Sequence, residues 1–369
     1  MPIPYFIDIN VNISAVEKSI NFIQKETCIQ FKKYHAMISE VVGIRFWYGP
    51  DCSSNVGKKF RKKWQNISLG KGCDHSGQIQ HEILHTLGFY HEHSRIDRDK
   101  YLKIYFQNII PSRKQSFDIV SKKDSNTFGV PYDYGSVMHY GLYYFTKNRG
   151  KTMKPFDSLY DMTPGPKSKM SFADIKMLNI YYCKNICRKK IICFHYGYQN
   201  PNNCGICKCI EGYSGPQCKI ITPPSYGCIQ SQFMAKNTPT KFEFHGAYSC
   251  TFHFLAYHNR RILIEIISTA LYPNHGSFCL SENSLEIKFW KDKTVTGALF
   301  CMYNSNITII SHSSSVIIHY RSNNPQNRVI LMYKSVKKSF DPTYKNPFFL
   351  FNFFKKQRNQ NVQSRRLSI

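Results

Sequence analysis

One run constrains this chain more than any other: His81-Glu82-Ile83-Leu84-His85-Thr86-Leu87-Gly88-Phe89-Tyr90-His91. On a helix, positions i and i+4 lie one turn apart on the same face, so His81 and His85 can offer two imidazole nitrogens to one point. Gly88 can take a positive φ, end the helix and swing His91 onto that point as a third ligand. Three nitrogens suit one zinc ion per chain and leave a fourth position for water, the mark of a catalytic rather than a structural site. Glu82 is placed to act as general base toward that water. In a chain of this composition the full spacing arises by chance only about 3 × 10⁻⁵ times, so a helix with idle histidines is a poor rival reading.

The run fits the metzincin pattern, which continues into a Met-turn. Residues Gly88 to Tyr101 (Gly-Phe-Tyr-His-Glu-His-Ser-Arg-Ile-Asp-Arg-Asp-Lys-Tyr) closely resemble the signature of the astacin family of zinc metallopeptidases, and Tyr134-Gly135-Ser136-Val137-Met138-His139-Tyr140 resembles its Met-turn. The order of parts resembles nematode astacin-like proteins with EGF-like and CUB domains. The resemblance implies an α+β zincin-type (metzincin) catalytic domain of the astacin-like peptidase kind over 1–184, a disulfide-rich EGF-like module over 185–219, a linker over 220–227 and an all-β CUB sandwich over 228–336. A basic, aromatic tail expected to be disordered fills 337–369.

It also implies roles. Met138 would form an apolar floor under the metal, being too weak a ligand to compete with three imidazoles. Tyr140 would steady the oxyanion, and Glu92 would be a buried carboxylate reached by the mature amino-terminus. Arg95, Asp97, Arg98 and Asp99 would form framework ion pairs. The implied disulfides are Cys28–Cys183, Cys52–Cys73, Cys187–Cys204, Cys193–Cys207 and Cys209–Cys218. Cys228, Cys250, Cys279 and Cys301 have the placement of a CUB domain's cysteines, and a zinc site on Cys204, Cys207 and Cys209 is the rival to the EGF-like bridges.

Fourteen cysteines, an even number in disulfide-like groups, point to an oxidising compartment and a secreted protein. Asn12, Asn66 and Asn306 stand in N-x-[ST] sequons, which become glycosylation sites on the secretory route. The start, Met1-Pro2-Ile3-Pro4-Tyr5, lacks the charged and apolar regions of a signal peptide and resembles the first residues of a mature astacin domain. Leader and pro-segment are therefore expected either to lie outside this sequence or never to have been present. No apolar run reaches the roughly 18 residues of a membrane helix. The net charge of +27 is not accompanied by any RRM, helix-turn-helix or finger pattern, so acidic matrix or acidic substrates are better partners for it than nucleic acid.

Apolar spacing predicts a helix over Ile13 to Phe31 with Ser14 near its start as a cap, strands at Gly43–Tyr48 and Gln65–Leu69, and a closing helix over 171–183 capped by Ser171. Alternating strands at Arg261–Ile266 and Ser315–Tyr320 belong to the sandwich. Asn283 and Asn323 stand where a calcium-binding CUB domain would carry acids, so no calcium site is expected. His253, His258, His275, His312 and His319 read as packed or surface residues. The tail's aromatic run Phe348–Phe354 precedes Lys and Arg and could touch a membrane or a partner. The expected function is peptide-bond hydrolysis in proteins, with the EGF-like and CUB parts choosing partners. The rival is an inert adhesion or scaffold protein.

Overall fold

The computed structural model describes residues 2–60, 63–274 and 276–340. Four parallel strands and one antiparallel strand open the chain: β1 (Ile3–Ile7), β2 (Phe31–Lys33), β3 (Ile44–Trp47), β4 (Cys52–Ser54) and β5 (Gln65–Leu69), in the spatial order β2-β1-β3-β5-β4. Period-2 alternation sends Phe46 and Ile67 to one face, where they meet Val16, Ile20 and Ile23 from helix α1 (Ile13–Glu26) and Ile79 and Ile83 from helix α2 (Ser76–Thr86). β4 is antiparallel and terminal in the sheet, and it packs beside α2.

Helix α1 differs from its expected form at both ends. Asn12, rather than Ser14, is the cap, its side chain accepting from Ala15 N at 3.1 Å. The helix stops at Glu26 because Thr27 turns extended and its hydroxyl takes the Ile23 carbonyl at 2.8 Å, which frees Phe31 to enter β2. The amides of Asn12, Asn66 and Asn306 all belong to exposed residues.

Beyond α2 the chain makes short 3₁₀ turns and one small ladder, β6 (Leu102–Ile104) with β7 (Met153–Pro155), around the buried rings of Phe117, Tyr132, Tyr134 and Tyr160. Helix α3 (Phe172–Cys183) begins with a capping box in which Ser171 and Asp174 serve each other's backbone. Its last residue, Cys183, is bonded to Cys28, tying the end of α3 to the exit of α1, and Cys52 is bonded to Cys73.

Three disulfides, Cys187–Cys204, Cys193–Cys207 and Cys209–Cys218, hold the next module around the ladders β8 (Tyr198–Gln199) with β9 (Cys207–Lys208) and β10 (Tyr213–Ser214) with β11 (Ile220–Ile221). Among the described residues no cysteine is free, so the rival zinc site on Cys204, Cys207 and Cys209 is excluded. The β10–β11 ladder runs past residue 219, so Ile220 and Ile221 pair with the module rather than standing in a linker. Lys208 pairs with Glu26 at 2.6 Å, and Asn202 donates to the Gln24 carbonyl, seating the module on the end of α1.

The remainder is a two-sheet sandwich with Cys228–Cys250 and Cys279–Cys301 bridges. One sheet contains β12 (Gln232–Met234), β14 (Ser249–Leu255), β16 (Ser284–Lys288), β17 (Ala298–Phe300) and β20 (Ser315–Arg321), ordered β12-β14-β20-β16-β17. The other has β13 (Thr240–His245), β15 (Arg260–Leu271), β18 (Met302–Asn304) and β21 (Arg328–Lys337) in the order β13-β21-β15-β18, with β19 (Ile307–Ile310) also on β15. Phe252, Phe254, Ile264, Ile318 and Leu331 fill the space between them. This apolar cluster continues without a break into Tyr132, Tyr134 and Tyr160 of the first domain. His275 and the tail from residue 341, with its aromatic run, lie outside the described residues.

β16 is buried along its whole length, polar residues included. Glu286 accepts from Arg321 at 2.9 Å and from Gly297 N at 2.8 Å, and Arg321 also reaches Glu211 of the disulfide-rich module at 2.7 Å. His319 lies beside them, bonded to Thr251 at 2.9 Å, and burial pushes its imidazole down to about 4. A base whose folded pKa is depressed stabilises the fold above its unfolded value of 6.5, and that contribution is lost as pH falls toward 4. His319→Gln is therefore expected to make the unfolding free energy shallower in pH across that window by about one proton, which denaturant titrations at several pH values would register.

Candidate metal centre and active site

Helix α2 carries His81, Glu82 and His85 on its buried side and ends as the sequence requires. Leu87 N reaches Ile83 O at 2.9 Å and Phe89 N reaches Leu84 O at 3.0 Å, while Gly88 sits at φ +93 and reverses the chain toward His91. The ligand atoms of His81, His85 and His91 lie within 4.8 Å of one another, the only such group of three among the described residues.

The tautomers follow from the surroundings. His81 Nδ1 is 2.8 Å from Val137 O, and His85 Nδ1 is 2.8 Å from Phe89 O. Carbonyls only accept, so each Nδ1 carries the proton and each Nε2 presents a lone pair. His85 Nε2 is 3.1 Å from His91 Nε2. Nitrogens bound tetrahedrally to one zinc at about 2.0–2.1 Å would be separated by roughly 3.3 Å, so the donor set fits that ion. Burial pushes His81 down to about 3 and also lowers His85 and His91, with neighbouring imidazoles adding to the effect on His81 and His91.

Glu82 is 2% exposed. One carboxylate oxygen accepts from Gln78 Nε2 at 2.8 Å, and the other is buried with no protein partner. Burial pushes this carboxyl up to about 8, and a cation at the imidazoles would pull it back toward the ionised form. An orphaned buried oxygen beside three lone pairs is what a site for a cation and a water needs.

Segment 133–138 meets the site where Val137 O faces His81. Met138 is buried in the core shared by the first sheet, α1 and α2, and its carbonyl accepts from Glu92 N at 2.9 Å. Asp174 holds this turn, accepting from Ser136 Oγ at 2.6 Å and Val137 N at 3.0 Å. Glu92 accepts from Arg95 at 3.0 Å and from Asp133 N at 2.8 Å, while burial pushes its carboxyl up to about 8. Met1 is outside the described residues, so the contact expected between a mature amino-terminus and Glu92 is not described. Arg95 also pairs with Asp97, and Arg98 with Asp99.

The Tyr140 ring lies 4.3 Å from that of His91 and stacks on His93 at 4.1 Å. Burial first, then Tyr144 and Glu82, push its phenol up to about 12, so at neutral pH it is an O–H donor. His93 and His139 are buried and bonded to Ser116 O and to Tyr132, outside the ligand set. In the sandwich, Asn283 Nδ2 donates to Pro273 O at 2.6 Å and its oxygen accepts from Asn327 at 3.0 Å.

Gln78, Asp133 and Asp174 were not singled out from the sequence. Gln78 has a local signal, standing four residues before Glu82 on the same helical face. Asp174 was visible only as part of a helix start.

The sequence profile described as Astacin, a peptidase family, matches residues 1–183. The chain belongs to the astacin family. It is 35% identical over 322 residues to zinc metalloproteinase nas-34 of Caenorhabditis elegans, covering 86% of this chain and 53% of that protein. Against nas-23 of the same organism it is 34% identical over 333 residues, covering 88% and 61%. The chain thus spans little more than half the length of these relatives. Among solved structures it is similar to high choriolytic enzyme 1, a hatching enzyme zinc-protease of Oryzias latipes, at 33% identity and a TM-score of 0.44, covering 49% of this chain and 88% of that one. The astacin-family region is followed by the module of three disulfides and the two-sheet β-sandwich described above.

Because the astacin-type histidines are depressed by burial, protons compete weakly for their lone pairs below the usual pKa of 6.5. Dialysis at about pH 5.5, where an ordinary imidazole is mostly protonated, should leave the zinc content unchanged from that at neutral pH by elemental analysis.

Proposed function

We propose that this chain is a secreted zinc-dependent metalloendopeptidase that hydrolyses peptide bonds in proteins, with one zinc on His81, His85 and His91 and with Glu82 as general base. The observation that carries this reading is the unpartnered, buried Glu82 oxygen beside three converging imidazoles. Zinc, when held there, supplies a Lewis acid for the scissile carbonyl and lowers the pKa of water.

The chain's own groups do the rest. Glu82 takes the proton from the attacking water and delivers it to the leaving amine, and Gln78 fixes the carboxylate's orientation through its second oxygen. Tyr140 donates its phenolic proton in a hydrogen bond to the oxyanion as the carbon becomes tetrahedral. β4, at the end of the sheet beside α2, offers free edge groups to an extended peptide. We assign 1–184 to the catalytic domain and 185–219, extended through Ile221, to the EGF-like module. The CUB domain is assigned to 228–336. The latter two would set location and protein partners. The fourteen paired cysteines fit the extracellular assignment. Among the described residues no helix is long and apolar enough to cross a membrane.

Glu82→Gln keeps the shape and the Gln78 contact but removes the base. It should retain zinc and lose about 10²–10⁴ in kcat on casein or a fluorogenic peptide, and equal activity in mutant and wild type would reject the mechanism. Tyr140→Phe should lower kcat by about 10²–10³ with KM little changed, since the hydrogen bond forms only as charge develops. Steady-state kinetics on one peptide separates the two effects.

A further inference from the structure

The CUB sandwich touches the catalytic domain through loop 289–297, between β16 and β17. That loop is braced from inside: the buried Lys288 amine donates to the carbonyls of Lys293 at 3.1 Å and Val295 at 3.0 Å, and Lys293 donates to Trp290 O. Among the residues that it lays against the catalytic domain are Trp290 and Thr296. Trp290 packs its ring 5.2 Å from Tyr160 and 6.2 Å from Tyr134. Thr296 N donates to Asp133 Oδ1 at 3.1 Å, the same oxygen that accepts from Gly135 N at 2.9 Å.

Gly135 shows how close the approach is. A Cβ built there would lie 2.5 Å from both Cβ and Cγ2 of Thr296, and all three of its nearest neighbours would be Thr296 atoms. Gly135 is not among the positive-φ residues, so its backbone would accept alanine and the closest obstruction is the CUB threonine. The segment so gripped is the one that orients the zinc ligands: Asp133 N bonds Glu92, next to His91, and Val137 O takes the His81 proton.

We propose that loop 289–297 of the CUB domain is a positioning element of the catalytic centre, with Thr296 and Trp290 clamping segment 133–138 and through it the orientation of His81 and His91. The CUB domain is then part of the machinery that holds the active site in shape, besides anything it does for partners. This rests on the peptidase reading above, and the test separates the two.

The full chain is made as Gly135→Ala, Thr296→Gly and the double variant, and assayed on a fluorogenic peptide too short to reach the sandwich. Active sites are counted by titration with a zinc-directed hydroxamate. Gly135→Ala should lower kcat per titrated site about 10-fold with KM within about twofold, since small misplacements of catalytic groups act on the chemical step. Zinc stoichiometry should be unchanged, and amide hydrogen exchange across 133–138 should quicken. Adding Thr296→Gly should restore most of both effects, the signature of two residues in direct contact. Unchanged kcat in Gly135→Ala overturns the proposal. So does a double variant no better than the single, or a loss confined to the number of titrated sites, which marks a merely structural role. If the unmodified chain hydrolyses no peptide, the peptidase reading fails while the exchange measurements still decide the clamp.

Discussion

Three neutral imidazoles converge on one point only if something else holds their other nitrogens. Here backbone carbonyls do so for two of the three: Phe89 O, on the turn after Gly88, for His85, and Val137 O, on a segment more than fifty residues downstream, for His81. The second of these makes segment 133–138, and whatever holds it, a support for the imidazole cluster. Asp174 fixes Val137, Glu92 ties Met138 to the third histidine's turn, and Arg95 donates to Glu92 and to the carbonyls of Val130 and Pro131. Each bond satisfies a group that would be costly to bury alone, so the network is held together by the penalty for breaking any part of it.

What was legible in the sequence was local. The spacing of His81, Glu82, His85, Gly88 and His91 writes out one helical turn, its stop and its reversal, and all of it stands in the structure. The Ser171 cap and the α3 boundaries were legible for the same reason, since a capping box needs only four neighbouring residues. α1 was overextended because its apolar spacing continues past Thr27, and periodicity does not show that a threonine hydroxyl will capture the Ile23 carbonyl and end the helix. Asp174 reaching across to Ser136, and Thr296 filling the space above Gly135, depend on chain segments that meet only after folding. No window of sequence contains both partners.

Polar burial is as much a feature of the domain junctions as of the active site. Glu286, Lys288 and His319 lie on strands whose outward faces would be wet in an isolated sandwich, yet they are buried, while half-buried Arg321 reaches Glu211 of the disulfide-rich module. Arg321 is shared between Glu286 of its own sheet and Glu211 of the neighbouring module, so separating the parts would take away one of its two carboxylates.

The Cys28–Cys183 bond closes a ring of backbone that contains β2 to β5, helix α2, the Met-turn and nearly all of α3. The lysine-bearing surface stretch at 121–124 lies inside that ring. One nick there would open the polypeptide without releasing a fragment, because both new pieces remain joined through sulfur. The three histidines upstream and segment 134–140 downstream of the break would stay tethered, so a clipped molecule would separate into two chains only after reduction.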